Sequence, residues 1–259
     1  MIQKIKISNN NDTPFHYVAE LPSLANGKEY TFTNRVNIIV GENGCGKTTL
    51  LNLLRTYLMV YQDECGRGIY NCALHKVYDW VNNRMYVGAD VYADYRLNTF
   101  SMFTAEDREP TVAMESFERF GEQCELNKSS KGQKTVYALF ALFNKMYSKK
   151  TNLKFDYEAV LKEWDCPEYV DYIQKHRVAE NENTWTILMD EPDNSVDMER
   201  MMELYGIFSE PKDDTQIIAV IHNPFLIAKL STVKSVNMIE MSDGYVDKVN
   251  RFVKQFNKP

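Results

Sequence analysis

The chain has 259 residues, 44% of them hydrophobic, which is enough to bury a substantial core within one domain and excludes a disordered protein. Lys and Arg number 30 against 36 Asp and Glu, giving a net charge of −6. A surface of that charge does not attract nucleic acid as a whole, so any such contact must be local.

The cysteines indicate a reducing compartment. They form no CxxC pair and match no zinc spacing, and they stand at positions 45, 65, 72, 124 and 166. The opening MIQKIKISNNND lacks the apolar core of a signal peptide, and no stretch approaches about 18 apolar residues. We therefore expect a soluble, cytoplasmic protein without a membrane segment.

The first half of the chain predicts a small sheet, then a strand, a glycine loop and a helix. Period-two alternation, typical of antiparallel strands, runs over 2–7, 16–21 and 29–33, and returns over 84–93. The β-branched run Val36–Val40 predicts a strand buried on both faces. Leucines recur from Thr48 to Val60 without a breaker, which predicts a helix.

The second half alternates helices and strands. Helices are predicted over 129–147 and near 198–208 and 224–230, and residues 151–183 resemble an inserted helical piece. Strands are predicted over 185–189, 216–221 and 235–240, with Ser242-Asp243-Gly244 turning the chain into a further strand over 245–249. No repeat or linker divides the chain, so we expect one α/β domain over 1–259 with a mostly parallel central sheet.

Residues 41–48, GENGCGKT, match the phosphate-binding loop pattern G-x-x-x-x-G-K-[ST] between a predicted strand and a predicted helix. Backbone N–H groups of such a loop point at phosphates, together with the positive end of the helix. Lys47 is expected to reach the β and γ phosphates and Thr48 to offer its hydroxyl to Mg²⁺. We expect the nucleotide-contacting residues of the loop to be Asn43, Gly44, Cys45, Gly46, Lys47, Thr48 and Thr49.

Cys45 lies inside this loop. Its side chain is either an oxidisable switch or a small filler that faces away from the phosphate, and the second interpretation is favoured.

Two further strand ends carry acidic or basic side chains. Ile187–Met189 runs into Asp190 and Glu191, which places Asp190 beside the magnesium ion and Glu191 where it can orient or deprotonate an attacking water. His222 follows the next buried strand and is expected near the same edge, contacting the γ-phosphate and holding Glu191 and the water. The predicted catalytic residues are therefore Lys47, Glu191 and His222, and the predicted metal ligands are Thr48 and Asp190.

These motifs resemble, in order, those of the ATP-binding cassette superfamily. The loop, the ILMDEP strand, residues 194–197 and His222 are similar to its Walker A, Walker B, D-loop and switch histidine, and Ser129-Ser130-Lys131-Gly132-Gln133 resembles its LSGGQ signature with Lys131 in place of a glycine. The segment VGENGCGKTTLLNLL most resembles the small ATPases related to RecF and to structural-maintenance-of-chromosomes heads. The resemblance implies an ABC-type head with a helical lobe and signature over about 95–147 and an insertion over about 148–183. Neither Gln62 nor Gln123 fits the family's Q-loop.

The resemblance also implies how the protein works. In this family the signature of one subunit completes the nucleotide site of another, so Ser130, Gly132 and Gln133 are expected to contact ATP across a symmetric homodimer that ATP joins and hydrolysis releases. The resemblance favours an ATPase in DNA repair or defence with a partner protein. An ATP-gated binding module with negligible turnover, a transporter subunit and a small-molecule kinase remain alternatives.

Nucleic-acid contact is a further open possibility. Lysines cluster at 145, 149, 150 and 154, and basic residues recur at 248, 251, 254 and 258. Both groups could touch phosphate backbones, although a charge run is more often a solvated face.

Overall fold

A computed structural model describes residues 1–7, 21–57, 89–93, 98–103, 175, 184–211 and 215–256. The signature at 129–133, the predicted helix over 129–147, the lysines at 145–154 and nearly all of the insertion lie outside these residues, as does most of the strand predicted over 16–21.

The centre of the described structure is a five-stranded parallel sheet. Its strands are β3 (Val36–Val40), β5 (Asn98–Phe103), β6 (Thr184–Asp190), β7 (Thr215–Val220) and β8 (Val236–Glu240), in the spatial order β5-β6-β7-β3-β8. Every residue of β3 and β7 is buried, as expected of strands covered on both faces. The predicted α/β class with a parallel central sheet is confirmed.

A smaller antiparallel sheet forms from strands near the start of the chain. Its strands are β1 (Ile2–Ile7), β2 (Glu29–Thr31) and β4 (Ala89–Ala93), in the order β2-β1-β4. Alternate residues of β4 are buried, which is the pattern that predicted it. The expected antiparallel N-terminal sheet is therefore present.

Four α-helices cover the parallel sheet within the described residues: α1 (Lys47–Tyr57), α2 (Met198–Ser209), α3 (Pro224–Leu230) and α4 (Tyr245–Phe256). Apolar residues of α2, α3 and α4, including Phe208, Leu230 and Val249, form one core with alternate residues of β3, β6 and β7. Helix α1 contacts β6, β7 and β4. None of the described helices has the length and apolar character needed to cross a membrane.

A buried glutamine joins the two sheets. Gln216 on β7 accepts a hydrogen bond from the backbone N–H of Ile2 at 2.7 Å and donates one to its carbonyl at 2.8 Å, while Thr186 donates to the same amide oxygen at 3.3 Å. Gln216 is 1% exposed, so these bonds satisfy polar groups that water does not reach.

The prediction of a strand over 245–249 is wrong, because these residues form the start of helix α4. Val246, Val249 and Val253 recur at helical spacing and pack on the core. Glu240 supports the start of the helix, since its side chain accepts a hydrogen bond from the N–H of Val246 at 3.0 Å. A strand would have placed Val246 on the face opposite to Val249 and Val253.

A second difference from the predicted fold concerns β5, because the sequence patterns above predict no strand there. Asn98–Phe103 lies within the range expected for the helical lobe, yet it pairs in parallel with β6 along its whole length. Among the described strands β5 stands at the end of the sheet, and its hydrogen bonds there come from β6 on one side.

Candidate functional site

The glycine loop runs from the end of β3 to the start of α1, in the order that the motif predicts. Gly44 and Gly46 have φ angles of +79° and +95°, which residues with a Cβ adopt only with strain. The loop therefore takes a path that only glycine follows without strain, and it ends at the positive terminus of α1.

Side chains from two flanking segments support the loop. On one side Ser23 donates a hydrogen bond to the Cys45 carbonyl, and Tyr30 donates to the Ser23 carbonyl at 2.6 Å. Burial raises the pKa of Tyr30 to about 12, so its hydroxyl stays protonated as a donor. On the other side the N–H of Glu42 donates to the Ser242 hydroxyl at 3.1 Å.

Lys47 lies beneath the loop and is 5% exposed. Its ammonium group donates to the carbonyls of Gly41 and Glu42, each at 2.9 Å. An ammonium group has three N–H donors, so these two bonds leave one donor for a ligand phosphate. The lysine is thus held in the loop by the loop's own backbone.

Thr48 and Asp190 meet where α1 begins and β6 ends. The Thr48 hydroxyl donates to the Asp190 carboxylate at 3.2 Å, although 142 positions separate the two residues. Burial is the main cause that raises the pKa of Asp190, and the Thr48 hydrogen bond opposes it. The structure therefore brings together the two residues predicted as magnesium ligands.

The donor atoms of this pair suit Mg²⁺, which binds through one or two carboxylates together with substrate phosphates and water. The described residues contain no group of three or more His, Cys, Asp or Glu side chains that would form a cage for a metal ion. The donor set therefore fits an ion shared with a nucleotide.

Glu191 and His222 form a second pair at the same edge of the sheet. Nε2 of His222 lies 3.2 Å from Oε1 of Glu191, and Asn194 donates to Oε2 of Glu191 at 2.8 Å. Glu191 has a φ of +52°, an uncommon value for a residue with a side chain. Such backbone strain occurs where surrounding contacts fix a side chain, and here both carboxylate oxygens have partners.

Asp193 is a site residue that sequence reasoning missed. It is 6% exposed, and one oxygen, Oδ2, accepts hydrogen bonds from the backbone N–H groups of His222 and Asn223. Burial is the largest influence on its carboxyl group and raises its pKa. No sequence pattern predicts this contact, because Asp193 accepts hydrogen bonds from backbone N–H groups 29 and 30 positions away.

Most of the predicted site residues line one cavity of about 710 Å³, within the range of roughly 300–1,000 Å³ that is usual for small-molecule sites. Asp190 is not part of the lining and reaches the site through its hydrogen bond with Thr48. The cavity contains most of the residues predicted to contact the nucleotide. Its lining is formed by Leu21, Asn43, Gly44, Gly46, Lys47, Thr48, Thr49, Glu191, Asp193, Asn194, His222 and Asn223.

Cys45 is not among the lining residues. A Cβ atom built on Gly41 would lie 2.7 Å from the Cys45 sulfur, so the thiol packs against the start of the loop. The Cys45 N–H donates to the Glu42 carbonyl at 3.3 Å, an internal bond of the loop. This placement favours the filler interpretation over a switch facing the phosphate.

The basic residues of α4 are exposed, and one of them is paired. Lys248 lies 2.7 Å from a carboxylate oxygen of Glu42, and that contact lowers the pKa of Glu42. The charge of Lys248 is therefore matched within the chain, whereas Arg251 and Lys254 lie exposed on the same helix. Lys258 lies outside the described residues.

Residues 21–135 match the family model described as "AAA domain". The match contains the glycine loop and covers less than half of the chain. No curated protein matches.

Similar solved structures include a nucleotide-free ATP-binding cassette from an ABC transporter, at 12% identity over all of both chains with a TM-score of 0.38. Another is a dimeric ATP-binding cassette in a post-hydrolysis state bound to ADP and Pi, at 14% identity over 93% of this chain and 95% of that one, with a TM-score of 0.35.

Proposed function

We propose that this protein is an ATPase that hydrolyses ATP in the cavity at the carboxyl ends of β3, β6 and β7. The observation that carries the proposal is the arrangement of two side-chain pairs at one cavity. Thr48, Glu191 and His222 line the cavity, Glu191 pairs with His222, and Thr48 donates a hydrogen bond to Asp190 behind the lining. The first pair suits a nucleotide-bound cation, and the second suits activation of water.

The glycine loop and Lys47 bind the triphosphate, through inward N–H groups and the remaining ammonium donor. Thr48 and Asp190 would hold Mg²⁺, which when bound neutralises charge on the β and γ phosphates. Glu191 orients the attacking water and accepts its proton. His222 contacts the γ-phosphate and fixes the Glu191 carboxylate.

The oligomeric cycle is also a proposal. ATP joins two copies, with Ser130, Gly132 and Gln133 of one copy closing the site of the other, and hydrolysis releases them. This proposal is supported by the sequence resemblance of residues 129–133 to the signature and of residues 194–197 to the D-loop. The signature itself lies outside the described residues. The same resemblance supports a role in DNA repair or defence with a partner protein.

Phosphate release from MgATP tests the proposed activity, with Glu191→Gln as the diagnostic variant. The substitution keeps shape but removes the proton acceptor, so we expect unchanged ATP affinity and a loss of turnover of about 100-fold or more. Glu210→Gln is the matched control, because Glu210 is exposed beyond the end of α2. Wild-type protein that releases no phosphate, or a Glu191→Gln variant of normal rate, would refute the proposal.

Size-exclusion chromatography of the Glu191→Gln variant tests the cycle separately. With ATP and Mg²⁺ the variant should elute as a dimer, since it binds ATP without releasing the copies. A monomer under saturating ATP would contradict the dimer while leaving the ATPase activity standing.

A further inference from the structure

Asp193 connects two loops that carry the reacting groups of the proposed ATPase. It lies in the turn after β6, two residues beyond Glu191. Its Oδ2 atom accepts from the N–H of His222 at 2.9 Å and also from the N–H of Asn223, both in the loop after β7. One carboxylate oxygen therefore ties the ends of two neighbouring strands together.

The contact fixes the backbone directly under the histidine ring. His222 can rotate about its side-chain bonds, but the position of its Cα is set by the peptide that Asp193 holds. The next residue, Asn223, accepts hydrogen bonds from the N–H groups of Phe225 and Leu226 and so caps α3. The loop is thus held on one side by Asp193 and on the other by the start of a packed helix.

A buried carboxylate is a costly way to hold a loop. Desolvation raises the pKa of Asp193, and its second oxygen, Oδ1, is buried without a hydrogen-bond partner in the described part of the chain. Charge-assisted bonds to N–H donors are shorter and stronger than neutral ones, so the carboxylate restrains the loop tightly. The residue also lines the cavity.

We propose that Asp193 is a positioning residue that holds His222 at the distance from Glu191 that ATP hydrolysis requires. The inference rests on the proposed ATPase function. It assigns Asp193 no contact with the nucleotide: the residue acts through the backbone of His222, and the 3.2 Å approach of His222 to Glu191 depends on it.

A double-mutant cycle with Asp193→Ala and His222→Ala tests this path of action. If Asp193 acts through His222, its removal should lower kcat about tenfold or more in the wild-type background and less than about twofold in the His222→Ala background. KM for ATP should change less than kcat, because the phosphate loop is untouched. Full tenfold losses in both backgrounds, or no loss in either, would overturn the inference.

Asp193→Asn is the second variant and keeps the test valid if the alanine variant does not fold. Its amide oxygen can accept the same two N–H bonds without the charge, so it should retain most of the wild-type kcat. A large kcat loss in Asp193→Asn that persists in the His222→Ala background would contradict a positioning role. Thermal unfolding of each variant separates loss of fold from loss of rate.

Failure of the proposed function is distinguishable from failure of this inference. Wild-type turnover that does not depend on Glu191 refutes both. Turnover that depends on Glu191, combined with independent effects of Asp193 and His222, refutes only the positioning role.

Discussion

Replacing Gly46 with alanine perturbs the glycine loop where an added side chain would meet two leucines. Its φ of +95° is strained for any residue with a side chain, and the added Cβ would lie 2.9 Å from Cδ1 of Leu24 and 3.2 Å from Cδ1 of Leu21. Gly44 offers a matched control, because its φ of +79° is similar and nothing lies within 4 Å of the added Cβ. The two substitutions differ mainly in the contact with the leucines.

The magnitudes follow from these two contributions. Holding a residue with a side chain at a left-handed φ lowers the free energy of unfolding by about 1–3 kcal/mol, and this cost applies to both variants. Overpacking costs about 1–3 kcal/mol more, and only Gly46→Ala incurs it. Gly44→Ala should therefore lower the free energy of unfolding by about 1–3 kcal/mol, and Gly46→Ala by about 2–6 kcal/mol.

Urea unfolding of the two variants measures the difference directly. Leu24→Ala in the Gly46→Ala background provides a second measurement, since removing the leucine removes the clash and the double variant should lose less than the sum of the single losses. Equal losses for Gly44→Ala and Gly46→Ala, or strictly additive losses with Leu24→Ala, would refute the described path of the loop.

Three further predictions concern the remaining contacts. Lys47→Ala should weaken ATP binding at least about tenfold in calorimetry, since each lost charge-assisted hydrogen bond is worth roughly 1.5–3 kcal/mol. The control Lys229→Ala, on the surface of α3, should bind ATP normally. Equal affinities of the two variants would contradict the phosphate contact of Lys47. Gln216→Leu should lower the free energy of unfolding by about 2–6 kcal/mol, because it removes the hydrogen bonds to the buried N–H and carbonyl of Ile2. An unchanged midpoint of urea unfolding would contradict this link between the two sheets. Burial raises the folded-state pKa of Asp193 above its ordinary value of 3.8, so the wild-type protein loses stability as the pH rises above that value. The melting temperature of Asp193→Asn should therefore rise relative to that of the wild type as the pH increases above 3.8, and a difference that does not change with pH would contradict the prediction.

The sequence predicts the parts of the fold whose signal is local. The central strands β3, β6 and β7 appear as nearly unbroken apolar runs because both faces are buried, and the glycine loop is recognisable because its backbone path requires glycines at fixed spacing. Helix α4 was missed because a Ser-Asp-Gly turn favours a hairpin, and its helical period becomes visible only when Val253 is counted with Val246 and Val249.

The candidate site divides in the same way. The sequence predicts that Lys47, Asp190, Glu191 and His222 lie near one another, because each lies at or beyond the carboxyl end of a strand and those ends share one edge of a parallel sheet. Asp193 could not, since its partners are backbone N–H groups and any residue at the partner positions other than proline would present them. The pairing of Lys248 with Glu42 was hidden for another reason: it depends on residues 206 positions apart.

A crystal structure with Mg²⁺ and a non-hydrolysable ATP analogue tests the central claim most directly. We predict the triphosphate in the cavity, with its γ-phosphate bonded to Lys47 and facing His222, and the metal ion between Thr48 and Asp190. A nucleotide bound elsewhere, or a γ-phosphate out of hydrogen-bond reach of both Lys47 and His222, would contradict the account.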